Sequence, residues 1–286
     1  MPGGSLLSVD GEREAVAGER PRSVDDAQEP GERRRDALRW IYLPWAWLAF
    51  FPFLVCTTLF WGIMAVLCSV VSQRVSFHCG TAWSWCLCRA NFTSVRITGR
   101  RHARKNQSYV IMSNHQSHFD ILAFYGHWGR QFRWVMKQEL RKVPGLGWGC
   151  AAVGHIFIDR SDHARAIASL EAAKARLHDG VSVMFFPEGT RSPDGRLRAF
   201  KKGGFMMALE MGLPILPVSI SGTRHVLPGK TMRLLPGRVA IRIHEPIDVR
   251  RYSVEQRESL MQDVAAVIRS GLSPWEQRPV DDDRAA

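Results

Sequence analysis

The sequence predicts an α/β fold: one domain with a mostly parallel or mixed sheet flanked by helices, preceded by an N-terminal membrane helix or helical hairpin. Three observations carry this. Beyond residue 95, short runs rich in β-branched residues alternate with segments of helical period, the pattern of a sheet layered by helices. Residues 40–73 contain no charged side chain, and 41–71 are almost wholly apolar and rich in aromatic rings. Finally, 286 residues at 45% hydrophobic composition can bury one sizeable core or two small ones, so a single domain with appendages is expected.

Residues 1–39 are rich in Gly, Glu, Arg and Asp without an apolar period, which predicts a disordered tail. As one helix, residues 41–71 would reach roughly 46 Å, beyond a hydrocarbon core of about 30 Å. Pro44 and Pro52 offer a break, because proline suits a helix start and not its interior. On that reading 52–71 cross the membrane and 40–51 lie in the interface. A re-entrant hairpin over 40–73 is the rival, since Arg33, Arg34, Arg35 and Arg39 precede the run and Arg74 and Arg89 follow it. The positive-inside tendency then selects no single direction. An export signal at Arg34-Arg35 is disfavoured, because the run exceeds an h-region of about 7 to 15 residues and lacks an Ala-x-Ala site.

Residues 74–94 read as a connecting amphipathic helix, with Trp83, Cys86, Leu87 and Ala90 on one face. That suits a second membrane-lying element or an ordinary packing helix. Asn91-Phe92-Thr93 matches a glycosylation sequon, without consequence on a cytosolic face. The domain spans 95–271. Its strands are expected at 95–98, 109–112, 156–158, 181–186, 215–220 and 239–243. Its helices are expected at 119–125, at 161–177 with Ser161 as cap, and at 200–211 ending on Gly212. The last runs from Ser253, where Ser253-x-x-Gln256 has capping-box spacing, to Gly271. Residues 272–286 form a C-terminal tail.

The formal charge of +12 and pI near 10.0 require an anionic partner. Nucleic acid, anionic lipid and a phosphorylated substrate all qualify, and the apolar run selects lipid over nucleic acid. Six cysteines include no Cys-x-x-Cys pair and no Cys/His zinc spacing, so neither a metal site nor a disulfide framework is expected. Reduced thiols in a cytosol-facing protein fit better.

The strand ending at Met112 delivers Ser113, Asn114 and His115 to a loop at its carboxyl end, where open α/β sheets place ligands. Asp120 lies five residues beyond His115. On one continuous helix that offset rotates the two about 140° apart. They meet if His115 precedes the helix and Asp120 occupies its first turn. Ser117-x-x-Asp120 has the spacing of a capping pair, so Asp120 is a capping carboxylate, a partner for His115, or both. A neutral imidazole, ordinarily near ~6.5, accepts a proton at cytosolic pH, and a carboxylate on its other nitrogen fixes the tautomer. His118 reads as a surface or helix-start residue.

Arg160, in Phe157-Ile158-Asp159-Arg160, follows a strand and precedes a helix start, where guanidinium and backbone amides converge on an anion. A surface ion pair with Asp159 or Asp162 is the plainer alternative. In Phe186-Pro187-Glu188-Gly189-Thr190-Arg191-Ser192, Gly189 admits close backbone approach, Arg191 adds charge, and Glu188 can orient a hydroxyl or an arginine. Leu216-Pro217-Val218 reads as a strand containing proline.

Together with Asn114-His115-Gln116-Ser117-His118-Phe119-Asp120, these pieces closely resemble the glycerolipid acyltransferase family. The likeness is closest to the 1-acyl-sn-glycerol-3-phosphate acyltransferases, whose signature is His-x4-Asp followed by Phe-Pro-Glu-Gly-Thr-Arg. It covers roughly residues 95–246 and implies a single glycerolipid-acyltransferase-like domain. It also implies transfer of a fatty acyl group from acyl-CoA or acyl carrier protein, as co-substrate, to the 2-hydroxyl of lysophosphatidic acid. It makes His115 the base and Asp120 its carboxylate, with no metal, no cofactor and no covalent acyl-enzyme. It places the acceptor phosphate on Arg160, the Glu188-Gly189-Thr190-Arg191 block and Lys137 of Lys137-Gln138-Glu139-Leu140, and links Leu216-Pro217-Val218 to catalytic support or donor binding. The expected location is a membrane, a bacterial inner membrane, with the catalytic domain on its cytoplasmic face. Acylation of another lyso-lipid, such as a lyso-ornithine lipid, and a lipid thioesterase or hydrolase are the alternatives. No Gly-x-Ser-x-Gly elbow, complete dinucleotide loop or P-loop occurs.

Overall fold

A computed structural model describes residues 32–159, 169, 172, 177, 179–229 and 231–278. The chain enters through one long helix. α1 (Glu32–Trp45) runs into a single π turn, Ala46–Phe50, and continues as α2 (Phe51–Ser69). The Phe51 N–H reaches back five residues to the Ala46 carbonyl, and this wider turn accommodates Pro52, which brings no donor to the first turn of α2. Pro44 lies inside α1 instead of ending it, and residues 40–69 do not fold back on themselves. Helix also begins at Glu32, inside the stretch expected as a disordered tail, where Glu32-Arg33-Arg34-Arg35 are good helix formers.

The reversal comes at residues 70–72. Ser72 caps α3 (Gln73–Ala90), its Oγ accepting from the Val75 N–H at 3.1 Å. The hairpin is thus made of α2 and α3. Among the described residues, Trp40–Ser69 is the one helix long and apolar enough to cross a membrane. One face of it is bare, with Ile41, Leu48, Phe60 and Leu67 exposed. The other seats on α5 (Leu146–Val153) and the residues just before it. A Cβ on Gly62 would come within 2.3 Å of the Gly145 carbonyl oxygen, so only glycine permits this approach.

α3 is a packing helix on its inner face. Phe77, Cys79, Leu87 and Cys88 are buried, and Phe77 stacks on Tyr125 of α4 (Phe119–Trp128) with ring centroids 4.8 Å apart. Asn91, the sequon asparagine, is fully buried. Its Oδ1 accepts from Tyr42 Oη, and its Nδ2 donates to Thr93 Oγ1 and to the Leu235 carbonyl, both at 2.9 Å.

The sheet has seven strands: β1 (Ser94–Thr98), β2 (Val110–Ser113), β3 (Phe132–Lys137), β4 (Ile156–Ile158), β5 (Ser182–Phe185), β6 (Ile215–Ser221) and β7 (Arg238–Ile243). Their order is β1-β7-β6-β2-β5-β3-β4. Every pair is parallel except β6 with β7, so the sheet is mixed and flanked by helices, as the sequence predicts. One apolar core lies between the sheet and α2, α3 and α4. A second lies on the opposite face, under α6 (Gly203–Met211) and α8 (Arg257–Ser270), while the short α7 (Thr223–Val226) follows β6.

The pattern reading missed β3, α5 and the short α7. β3 carries Arg133, which is buried yet charged, so its apolar run is interrupted. α5 carries Gly147 and Gly149, poor helix formers; the 140–141 backbone leaves no room for a Cβ at Gly147, and a Cβ at Gly149 would stand a tight 3.1 Å from Gly62 of α2. The last helix starts at Arg257, later than Ser253. The Ser253 N–H does bond Gln256 Oε1 at 3.0 Å, but that bond closes a turn ahead of the helix. The helix expected over 161–177 lies almost wholly outside the described residues.

Candidate active site

Strands β2, β3, β4, β5 and β6 all point their carboxyl ends to one edge, the place where such sheets hold ligands. Asn114 fixes where β2 leaves the sheet. Its Nδ2 donates to the Ile220 carbonyl and its Oδ1 accepts from the Ile220 N–H, both at 2.8 Å, imitating one more ladder step with β6. His115 follows, with its N–H on Glu188 Oε1 and its carbonyl accepting from the Ser192 N–H, both at 2.7 Å. The imidazole lies flat on Phe186, with centroids 3.8 Å apart and planes 4° apart.

His115 Nδ1 is 2.7 Å from Asp120 Oδ2. Asp120 sits in the first turn of α4 and is fully buried. The same oxygen accepts from the backbone N–H groups of Gln116 at 2.7 Å and Ser117 at 2.9 Å, and Oδ1 accepts from Thr223 Oγ1. The five-residue offset thus closes because His115 precedes the helix. The two readings of Asp120 coincide, for one carboxylate caps the first turn and binds the imidazole. Nδ1 is thus the ring nitrogen committed to the carboxylate.

Glu188 is buried and accepts on both oxygens, from His115 and from the Arg198 N–H at 3.3 Å. Burial pushes its carboxyl from an ordinary 4.5 up to about 8, against the two amide hydrogen bonds, and the nearby Asp120 charge adds to the rise. The folded protein then holds a proton that the unfolded chain releases above its ordinary value. Stability from this group is therefore fully present below 4.5 and is lost as pH rises through about 8. Glu188→Gln should flatten the pH dependence of the thermal unfolding temperature in detergent between about pH 5 and 8. Parallel curves for variant and wild type would contradict this assignment.

Gly189 takes a left-handed φ of 72°, and the Lys201 side chain lies where a Cβ would be. Thr190 is exposed and Arg191 half-buried on the same loop. His118 keeps an exposed edge, yet packing around its ring, with the Arg191 charge second, holds its imidazole down to about 4. The Arg191 charge is thus felt at His118, which stays neutral near pH 7. Lys137 ends β3 on the same sheet edge and is exposed. Arg160 lies outside the described residues. Pro217 sits within β6, one step before the first ladder pair with β7, where its missing N–H breaks no ladder bond.

The Acyltransferase family model matches residues 94–221. A solved 1-acyl-sn-glycerophosphate (LPA) acyltransferase, PlsC from Thermotoga maritima, superposes with a TM-score of 0.73 at 30% identity, covering 85% of this chain and 100% of that one. The chain belongs to the 1-acyl-sn-glycerol-3-phosphate acyltransferase family. Its members here include a 1-acyl-sn-glycerol-3-phosphate acyltransferase of Chlamydomonas reinhardtii, 30% identical over 245 residues that cover 85% of this chain and 73% of the relative. A chloroplastic one from Arabidopsis thaliana is 35% identical over 158 residues, 54% of this chain and 44% of the relative. The bovine alpha form is 34% identical over 154 residues, 54% of each.

The cluster around His115 and Asp120 has two further members that the motif reading did not mark. Thr223 is buried and donates to Asp120 from the start of α7. Its place just after β6, on the sheet edge that holds His115, was the available clue. Glu276 belongs to the stretch expected as a C-terminal tail. Instead, residues 272–278 fold onto the domain, because Leu272 and Glu276 are buried and Ser273 bonds Ser221 Oγ at 3.2 Å.

Proposed function

We propose that this acyltransferase moves a fatty acyl group from acyl-CoA or acyl carrier protein to the 2-hydroxyl of lysophosphatidic acid, giving phosphatidic acid. The 2.7 Å contact between His115 Nδ1 and a buried Asp120 already anchored by two backbone amides carries this reading. His115 Nε2 takes the hydroxyl proton as the acceptor oxygen attacks the thioester carbonyl. Asp120 holds the tautomer and stabilises the imidazolium that forms. The imidazolium then returns the proton to the departing thiolate, so one proton travels from alcohol to thiol and no acyl-enzyme bond is made. The relatives' names supply the acceptor.

The phosphate falls to Arg191, the Gly189-Thr190 turn, Lys137 and Arg160. Arg191→Ala should raise KM for a phosphate-bearing acceptor several-fold while leaving KM for the acyl donor nearly unchanged. Equal changes for both substrates would count against that placement.

The bare face of α2 and the +12 charge fit a protein that works on a bilayer, where acceptor and product both reside. Because α2 is seated along α5 through Gly62, we read it with α3 as a hairpin embedded from the cytosolic side, in a bacterial inner membrane. Protease added to sealed vesicles should reach the domain only from the cytosolic side; cleavage only from the other side would overturn the topology. Purified protein with a labelled acyl thioester and a panel of lyso-lipids tests the reaction itself. Preference for a lyso-ornithine lipid would move the acceptor, and free fatty acid released without any acceptor would make the protein a hydrolase.

A further inference from the structure

Glu276 is 2% exposed, and both of its carboxyl oxygens are hydrogen-bonded. Oε1 accepts from Gln116 Nε2 at 2.7 Å and from the Gly222 N–H at 3.4 Å, and Oε2 accepts from the Ser273 N–H at 3.0 Å. A carboxyl group is buried at a cost unless partners satisfy it, so the contacts are specific. The neighbours of those partners give them meaning. Gln116 follows His115, and its own N–H is a donor to Asp120 Oδ2. Gly222 precedes Thr223, the donor to Asp120 Oδ1. One side chain from the C-terminal segment therefore ties together the two pieces of backbone that grip Asp120 from either side.

The segment is itself anchored. Trp275 packs against the guanidinium groups of Arg196 and Arg278, which lie 5.5 and 4.8 Å from its ring centroid. Gln116 Nε2 also donates to the Gly195 carbonyl at 3.2 Å, so the loop after Ser192 is joined to the same point. The anchoring segment, 272–278, lies beyond the residues matched by the family model, 94–221, while Gln116, Gly195 and Arg196 lie within them.

We infer that Glu276 is a positioning residue: it registers Gln116 with Gly222 so that Asp120 holds the His115 imidazole at the angle transfer requires. The inference rests on the proposed roles of His115 and Asp120. Its three partners are all donors, which carboxyl oxygens satisfy, whereas an amide must turn its NH2 toward one of them.

The test uses the full chain in detergent with a labelled acyl thioester and lysophosphatidic acid. Glu276→Gln should lower kcat at least about tenfold, as a small misplacement of reacting groups does, with KM for both substrates within about twofold. The unfolding temperature should fall by no more than a few degrees, and Glu276→Asp should recover part of the lost kcat. Gln116→Ala should match Glu276→Gln, and the double variant should lose no more than either alone. A kcat for Glu276→Gln within about twofold of wild type, or additive losses in the double variant, overturns the inference. So does a fall in kcat that follows the folded fraction, which would make the role structural only. His115→Ala assayed alongside separates the two levels: if it still transfers acyl groups, the proposed reaction mechanism fails, whatever the Glu276 variants do.

Discussion

Replacing His115 by alanine should abolish acyl transfer while the protein still folds and enters membranes. The fold tolerates the change because the loop is held by groups the substitution leaves in place. The His115 N–H stays on Glu188, its carbonyl stays on Ser192, and Asn114 still pairs with Ile220. What disappears is the imidazole stacked on Phe186, the group proposed to take the hydroxyl proton. A positioned base supplies about 10²- to 10⁴-fold, and it also activates the attacking oxygen here. Turnover within a few-fold of wild type, measured with labelled thioester in detergent, would sink the mechanism.

Asp120→Asn should cost nearly as much, at least about a hundredfold in kcat. Three N–H donors converge on Oδ2 and a hydroxyl on Oδ1. An asparagine that turns its oxygen to the three donors keeps the geometry but loses the charge that stabilises the imidazolium. Turned the other way, it loses the tautomer as well. Magnitudes separate this from the capping role of the same carboxylate. A lost cap costs roughly 0.5–2 kcal/mol of stability and leaves chemistry in the folded fraction intact. If Asp120→Asn lowers only the unfolding temperature, the carboxylate is a cap and nothing more.

The strands other than β3 and the His115–Asp120 pair were legible because they are local. β2, β5 and β6 are short runs of apolar and β-branched residues, and a five-residue offset across a helix start fixes a geometry by itself. The remaining features depend on distant approach. Gly149 weakens a helix when read alone and is explained only by α2 passing over it. Glu276 meets Gln116 across 160 positions of sequence, and nothing near either residue announces the other. Pro52 misled for a related reason: the rule that proline ends a helix assumes a regular α ladder, and the π turn just before it relaxes it.

The buried Asn91 bears on how the side of the membrane can be established. Its amide is committed at both ends, to Tyr42 from the apolar helix and to Thr93 and Leu235 from the domain. It serves as a strut where hairpin and domain join, with no free nitrogen to offer a glycosyltransferase once the chain has folded. A bare Asn91 would therefore be found in either compartment, and only a reporter placed on exposed surface can register sidedness.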